Sequence, residues 1–575
     1  MQEHTSDTMI ATAYTHAVAI VNNTDTKHSN INDKMKHFIL CAIAVLTAIP
    51  AVAQMKIQLG KDSPLRKLQI AELAIENLYV DTVNANKLVE DGIRGMLSKL
   101  DPHSSYSTAE ETKELNEPLQ GNFEGIGVQY NMVEDTLLVI QTVNGGPSEK
   151  VGILAGDRII AVNDTAIAGV KMSRSEIMRR LRGKKGTKVN VAVKRAGEAK
   201  PIVFTVTRDR IPVTSLDAAY LIEPGIGYVK LGSFGATTFR EMVHAIDSLR
   251  QRNSALSPSR KFNLILDLQD NGGGYLSAAV EVANEFLAED DLIVYTEGRK
   301  VPRRDMNANG YGRTQKGHIV VLVNEYTASA AEIVSGAIQD HDRGYIVGRR
   351  TFGKGLVQRP VELPDGSMIR LTVAHYYTPT GRCIQKPYKP GDKAGYDMDF
   401  EQRLKHGELT CRDSIHFADS LKFSTLKKQR TVYGGGGIMP DVFVPLDTTQ
   451  YTRYHRMLVA KGIIVAQTLK YFDLHRKEMA KYNDVKHFCS DFIVPDELIK
   501  IVMKEGEKQD IKPKDEEERN RTMPYLKMQL KALMARDLFN QSAYLEVANP
   551  YSDIYNKGVE VMKTLIKENK YDKVQ

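Results

Sequence analysis

Apolar positions along this chain recur with two different periods, and the switches between them divide it into segments. Over residues 61–117 the side chains Leu68, Ala71, Ile75 and Leu78 return at helical spacing, which predicts a helical N-terminal segment. From Phe123 onward the repeat shortens to that of strands, with strands predicted at 188–195 and 202–207 and a helix around 173–181. Asn263–Leu268 reads as a strand and runs into three consecutive glycines, Gly272–Gly274. His318–Val323 is a short apolar run rich in β-branched residues, the pattern of a buried strand. Soon after it, apolar residues at 330, 333, 334, 337 and 338 predict a helix. Leu356–Leu363 returns to strand character, and 390–432 is a polar, charged insertion before the core resumes at Tyr433. From Tyr451 the chain is mostly helical and charged, with amphipathic stretches near 453–482 and 523–547. The fold class predicted is α/β multidomain: a mixed α/β core at 211–450, an inserted unit at 118–210, a helical segment at 54–117 and a helical extension at 451–575. The extension reads equally as a stabilising cap or as an oligomerisation or gating arm.

Composition narrows the picture only slightly. A chain of 575 residues is long enough for three or four domains and a sizeable core. The net charge of +7 is a small difference between 78 basic and 71 acidic residues and does not argue for nucleic-acid binding. Charge runs such as Lys504–Arg521 read as solvated linker.

The N-terminus carries the compartment signal. Met35–Ala53 has a basic start, an apolar run and a small-x-small end, which predicts a secretory signal peptide cleaved after Ala53. The apolar run, residues 38–53, is short for a membrane span. Met35 reads as the true initiator, with 1–34 an over-extended start. Export places the expected location in the bacterial envelope, most simply the periplasm. Cys41 would leave with the signal, and Cys383, Cys411 and Cys489 would remain, either as one disulfide with a free thiol or as three thiols. Their spacing is not metal-like, no His-Glu-x-x-His is present, and neither metal nor other cofactor is expected.

Candidate chemistry concentrates in two segments. Ser329 sits where a strand turns into a helix, beside free backbone N–H groups that could stabilise an oxyanion. Lys354, flanked by Gly353 and Gly355, precedes a strand-like stretch, so a period of two would point Lys354 and Gln358 to one face. A lysine acts as a base near neutral pH only when desolvation lowers its pKa. A nearby glutamine could hold the amine without adding charge. Nucleophile, base and orienter are thereby assigned to Ser329, Lys354 and Gln358. Three other readings compete. Ser329-x-x-Glu332 fits a helix capping box, in which the serine only satisfies backbone donors. Gly348–Gly355 matches a phosphate loop up to its lysine, but ends in glycine and precedes a strand. His341 and Asp342 could suggest a Ser-His-Asp triad, and a helix-terminal polar cluster explains them better.

Thr327–Glu332 (Thr-Ala-Ser-Ala-Ala-Glu), followed by Gly348–Gln358 (Gly-Arg-Arg-Thr-Phe-Gly-Lys-Gly-Leu-Val-Gln), resembles the carboxyl-terminal processing peptidases, or tail-specific proteases, which are serine–lysine endopeptidases. Leu100–Tyr106, Asp267–Gly274, Tyr377–Arg382 and Gly437–Asp441 resemble further segments of that family, in order, over about residues 65–446. There is one departure: the glycine loop usually begins Asp-Leu-Arg and here has Gln269, which puts the local ion pairing in doubt. By this resemblance the core is a serine protease, and backbone N–H groups of Gly273 or Gly274 and of Ala330 form its oxyanion hole. Residues 118–210 resemble a PDZ domain, with Gly125, Ile126, Gly127 and Val128 as the loop that holds a terminal carboxylate and Gly152–Asn163 downstream. Arg182 could couple that domain to the core, or be a basic surface turn. The implied function is a periplasmic serine endopeptidase that captures C-terminal protein tails and cleaves near them through an acyl-enzyme. Expected partners are proteins or peptides with free C-terminal tails; an adaptor or activator and a homo-oligomer are left open. The alternative is a catalytically silent PDZ scaffold that binds tails or a partner protease.

Overall fold

The computed structural model describes residues 63–568 apart from 134 and 196. The expectations for 1–34, for the signal peptide at 35–53 and for Cys41 lie outside the described residues. The chain divides into two compact units, up to Val89 and from Glu90. The described part of the first holds the helix Pro64–Leu78, with proline in its first turn, and the start of the helix Ala85–Leu97. The continuous helical segment expected over 61–117 is therefore broken: a short strand, Ser105–Ser107, precedes a further helix, Ala109–Gln120. Thr108 closes a capping box with Glu111 at that helix's start, and Gly121, left-handed at φ 73°, ends it.

The centre of the second unit is a six-stranded sheet in the order Leu216–Glu223, Ile226–Leu231, Asn263–Asp267, Ile319–Val323, Tyr345–Gly348 and Val442–Phe443. Only its first pair is antiparallel. All five residues of Ile319–Val323 are buried, because both faces of the sheet are covered. Ile319, Val321 and Val323 pack with Ile333, Val334 and Ala337 of the helix Ala330–Asp340. Val320 and Leu322 face the opposite way, onto Ile554, Tyr555 and Met562 of the C-terminal helix Asp553–Lys567. A second sheet joins Ser105–Ser107, Met368–Tyr377, Leu292–Gly298 and Val301–Asn307, with Leu356–Glu362 also pairing with Met368–Tyr377.

The PDZ-like segment leaves and rejoins the core through one antiparallel pair, Asn122–Gly125 with Asp209–Pro212. Its sheet runs in the order Val128–Val133, Thr136–Thr142, Arg158–Val162, Lys188–Lys194, Ile202–Thr207, and one helix, Arg174–Leu181, is capped by Ser173. Both ends of the insertion thus sit side by side, which leaves the core sheet uninterrupted.

Residues 453–548 form a helical body with its own apolar core, including Tyr454, Leu458, Phe488, Leu498, Leu526 and Leu530. The run Lys504–Arg521, expected as linker, instead spans the end of the helix Asp496–Lys508 and the start of Glu516–Leu538. Asp515 caps the second helix, and Glu516, Glu517 and Glu518 fill its first turn, where negative charge is stabilised. This body meets the PDZ-like sheet through Val133, Leu138 and Leu469, and through the ion pair Arg158–Asp473 at 3.0 Å. Cys383, Cys411 and Cys489 are free thiols.

Candidate active site

The strand Ile319–Val323 delivers the chain into a tight turn that is tied to the glycine loop. Thr327 donates its hydroxyl to the Leu268 carbonyl at 2.8 Å, and Ala328 donates its N–H to the Asn271 carbonyl at 2.9 Å. The Asn324 side-chain amide donates to Asp270 at 2.8 Å. Together these bonds press Gly273 against the serine: a β-carbon there would lie 2.7 Å from the Ser329 Cβ. Ser329 itself has φ 58° and ψ −117°, a conformation that non-glycine residues rarely hold and that marks stored strain. The turn donor Glu332 N–H goes to the Ser329 carbonyl at 2.8 Å, so this donor is satisfied without the serine hydroxyl.

Glu332 does more than cap. Its carboxylate is fully buried and accepts the N–H of Ser329 at 2.8 Å, of Gly353 at 2.8 Å and of Lys354 at 2.9 Å, together with the Thr351 hydroxyl. Burial pushes its pKa up to about 7 against the pull of these donors. Tyr376 adds a second tie, because its hydroxyl donates to the Lys354 carbonyl and lies 3.2 Å from that of Ser329.

Lys354 is therefore held in a loop, and the strand begins only at Leu356. The period-two expectation is corrected here: the lysine's N–H and carbonyl are taken by Glu332 and Tyr376 rather than by the sheet ladder, and the register shifts between Val357 and Gln358. Lys354 and Gln358 nonetheless border one cleft of 620 Å³ with Ser329, Ala330, Gly273 and Gly274. Burial lowers the pKa of the Lys354 amine; the Arg370 guanidinium adds to this, and Glu332 and Asp101 oppose it. Among the described residues no hydrogen bond joins the Ser329 hydroxyl, the Lys354 amine and the Gln358 amide to one another. Gln358 donates to the Thr372 hydroxyl at 3.3 Å and to the Leu356 carbonyl at 3.4 Å.

The backbone donors differ in availability. Gly273 gives its N–H to the Asn271 side chain at 2.8 Å, whereas no acceptor within the described residues takes the N–H of Gly274 or of Ala330. Gly274 has φ 150°, and a β-carbon there would lie 2.1 Å from the Phe234 carbonyl oxygen. At Gln269, where the family's arginine is missing, Asp267 accepts the Tyr228 hydroxyl at 2.6 Å and the Gln269 amide at 3.1 Å, and pairs with the Lys230 amine at 3.5 Å.

Several residues that sequence reasoning passed over surround the site. Asp101 accepts the Ser104 hydroxyl at 2.5 Å and the Thr372 hydroxyl at 2.9 Å. Burial raises the Asp101 pKa, but bonds from Ser104, His103 and Thr372 outweigh it and leave the carboxyl below its ordinary value. His103 meets the Tyr396 hydroxyl at 2.9 Å, and burial, with Lys354 nearby, lowers its pKa to about 4. The insertion also supports the lysine loop: Arg403 donates to the carbonyls of Arg350 at 2.6 Å and Thr351 at 3.3 Å. The signals were the Asp-Pro-His-Ser order at 101–104 and the charge density of the insertion, but neither names a partner. His341 and Asp342 end the helix that Ser329 begins; His341 bonds to Leu292 and Asp342 to Arg430, as a helix-terminal polar cluster.

In the PDZ-like domain, Gly127 is left-handed at φ 74° and no acceptor among the described residues takes the N–H of Ile126 or Gly127. Val128 starts the edge strand Val128–Val133, whose outer side is unpaired within that sheet. Gly125–Val128 does not line the Ser329 cleft. Arg182 donates to Glu117 at 2.6 Å and stacks over Phe123, joining the domain's neck to the helix Ala109–Gln120.

A mixed α/β core with a PDZ domain set into it and a strained serine that shares a cleft with a buried lysine defines a PDZ-bearing peptidase. Comparison with known proteins agrees: the profile of peptidase family S41 matches residues 225–393 and that of the PDZ domain matches 125–206. The N-terminal domain of the activating protease CtpB matches 45–112, and a family of unknown function matches 454–540. A carboxy-terminal-processing protease of Bartonella bacilliformis is 37% identical over 314 residues, 54% of this chain and 70% of that protein. The carboxy-terminal processing protease CtpA of Bacillus subtilis is 37% identical over 335 residues, 58% of this chain and 69% of that protein. Among solved structures, the photosystem II D1 C-terminal processing protease is 27% identical, covers 66% of this chain and 92% of its own, and superposes with a TM-score of 0.32. The chain belongs to peptidase family S41 and is a serine-type peptidase of the carboxy-terminal processing group.

Proposed function

We propose that this peptidase captures the C-terminal tails of envelope proteins and cleaves near them through a serine–lysine acyl-enzyme. The observation that carries the reading is the convergence on one cleft of a conformationally strained Ser329 and a Lys354 amine whose pKa burial lowers. Neutral Lys354 takes the Ser329 proton as the oxygen attacks the scissile carbonyl, and passes it to the departing amine as the peptide C–N bond breaks. Neutral again, the Lys354 amine takes a proton from the water that attacks the acyl carbonyl and returns it to the Ser329 oxygen as the ester bond breaks. Gln358 orients the amine. The N–H groups of Ala330 and Gly274 face the oxyanion, and one such donor is typically worth roughly 3–4 kcal/mol. A tail adds as a strand along Val128–Val133, its carboxylate against the free N–H groups of the Gly125–Val128 loop. The pattern at 35–53 supports export to the periplasm.

The test compares protein starting at Gln54 with its Ser329→Ala and Lys354→Ala forms on an unstructured, apolar-tailed protein, read by intact mass. Cleavage by the parent alone is expected. Equal cleavage by a folded Lys354→Ala form refutes the lysine as base. Tail binding without any cleavage or labelling of Ser329 would instead support a scaffold.

A further inference from the structure

We propose that Asp101 and Thr372 are positioning residues that set which end of the Gln358 amide faces Lys354. This rests on the serine–lysine reading above and adds to it a mechanism for keeping the base available.

The argument is one of hydrogen-bond polarity. An ionised carboxylate accepts and never donates. Asp101, with three donors on Oδ1 and the Ser104 hydroxyl on Oδ2, therefore requires the Thr372 hydroxyl to give it its only proton, over 2.9 Å. Thr372 is then left with lone pairs alone for its other neighbour, Gln358, 3.3 Å away. The second group beside that end of the amide is the Leu356 carbonyl, 3.4 Å away, which is also only an acceptor. Both neighbours thus demand the amide nitrogen, and the amide oxygen must point the other way, toward the cleft that Gln358 shares with Lys354. The Thr372 backbone is locked as well, its N–H donating to the Ser104 hydroxyl at 3.1 Å.

The orientation matters because a neutral amine has two protons and one lone pair. An amide oxygen accepts one of those protons and leaves the lone pair for the Ser329 hydroxyl. The flipped amide would place an N–H on that lone pair and quench the base. The charged and titratable groups around Lys354 are Arg370, Glu332 and Asp101, with His103 beside them, so substituting Asp101 would alter the field directly. Thr372→Val keeps every one of these charged groups and removes the hydroxyl's polarity together with its bond to Asp101, a loss that the Gln358→Leu background carries equally.

The experiment measures single-turnover cleavage of an apolar-tailed peptide against pH for the parent, Thr372→Val, Thr372→Ser, Gln358→Leu, the double variant Thr372→Val/Gln358→Leu and Lys354→Ala. Thr372→Val is expected to lose roughly 10- to 100-fold in the cleavage step, the scale of a misplaced catalytic group, with KM unchanged. Its acidic limb should move to lower pH, since a flipped amide favours the neutral amine, and Thr372→Ser should restore both rate and limb. In the Gln358→Leu background Thr372→Val should cost nothing more. An unmoved limb, or an equal loss in both backgrounds, overturns the proposal while leaving the serine–lysine reading in place. Parent-like cleavage by Lys354→Ala would remove that reading itself.

Discussion

Ser329 and Lys354 donate their backbone N–H groups to the same oxygen of one side chain, Oε2 of Glu332, at 2.8 and 2.9 Å. The two segments that carry the proposed nucleophile and base are thereby held by a single buried carboxylate. Glu332→Gln replaces one acceptor oxygen with a donor, which leaves either Ser329 and Lys354 or Gly353 and Thr351 facing an N–H. A loss of about 10²-fold in kcat is expected, with tail affinity little changed. Near-parent kcat in a folded variant, read from steady-state cleavage, would show that the clamp is dispensable.

The same carboxylate gives stability a pH slope of defined sign. Its folded pKa of about 7 lies above the roughly 4.3 of an unfolded glutamic acid, so the folded state binds more protons between those values. The contribution of Glu332 to stability is full below about 4.3, declines as pH rises to about 7 and is level beyond. The Tm of the parent relative to Glu332→Gln should therefore fall between pH 5 and 7.5, measured by scanning calorimetry. A constant difference across that range contradicts the raised pKa.

Activity should follow Lys354 in the opposite direction. Its amine must be neutral to accept a proton, and burial lowers its pKa, so kcat should rise with pH along a limb below the ordinary lysine value of about 10.4. Because the group is largely desolvated, moderate salt should shift the limb little. A pH–rate profile with its limb at the ordinary lysine value would remove Lys354 from the role of base.

Tyr376→Phe deletes the hydroxyl that lies between the Ser329 and Lys354 carbonyls. The buried ring is retained, so the expected cost to folding is about 1 kcal/mol, while kcat falls roughly tenfold through loosening of the two loops. Denaturant unfolding and cleavage kinetics on the same preparation separate the two effects.

Gly274→Ala should be far more damaging than its size suggests. The new methyl would meet the Phe234 carbonyl oxygen at 2.1 Å on a backbone with φ 150°, and backbone cannot rotate away as a side chain can. A loss of at least 1–3 kcal/mol is expected, with loss of cleavage. Parent-like urea unfolding would show that the loop relaxes.

At the junction between the PDZ domain and the helical body, Leu469 packs with Val133 and Leu138. Leu469→Ala should cost about 2–5 kcal/mol locally and increase hydrogen exchange in the strand Thr136–Thr142 more than in Ile319–Val323. Uniform exchange changes would indicate that the junction does not hold the domain.

Much of this protein was legible along the chain. The run His318–Val323 announced a strand because a segment covered on both faces must be apolar throughout, and the helix after Ser329 showed its 3.6-residue repeat. Ser329, Lys354 and Gln358, named from local pattern, and Gly273, Gly274 and Ala330, named by the family resemblance, all border one cleft. The PDZ strands and their helix were readable for the same reason: period and turn residues are local properties. What local pattern could not supply was the partner of each polar group. Glu332 looked like half of a capping box, and only the folded chain brings Gly353 and Lys354 to it. Lys354, just ahead of a strand, looked set in that strand's period with Gln358, and the carboxylate and Tyr376 hold it outside the ladder instead. Asp101 reaches Thr372 across most of the core sequence, and nothing in either segment names the other. The charged run at 504–521 resembled linker because its apolar partners lie in other helices. Sequence by itself determined which residues could do the chemistry and which segments would be strands or helices. Tertiary structure alone decided the hydrogen-bond directions, the desolvation of Lys354 and the covering of the sheet's second face, because each depends on groups far apart along the chain.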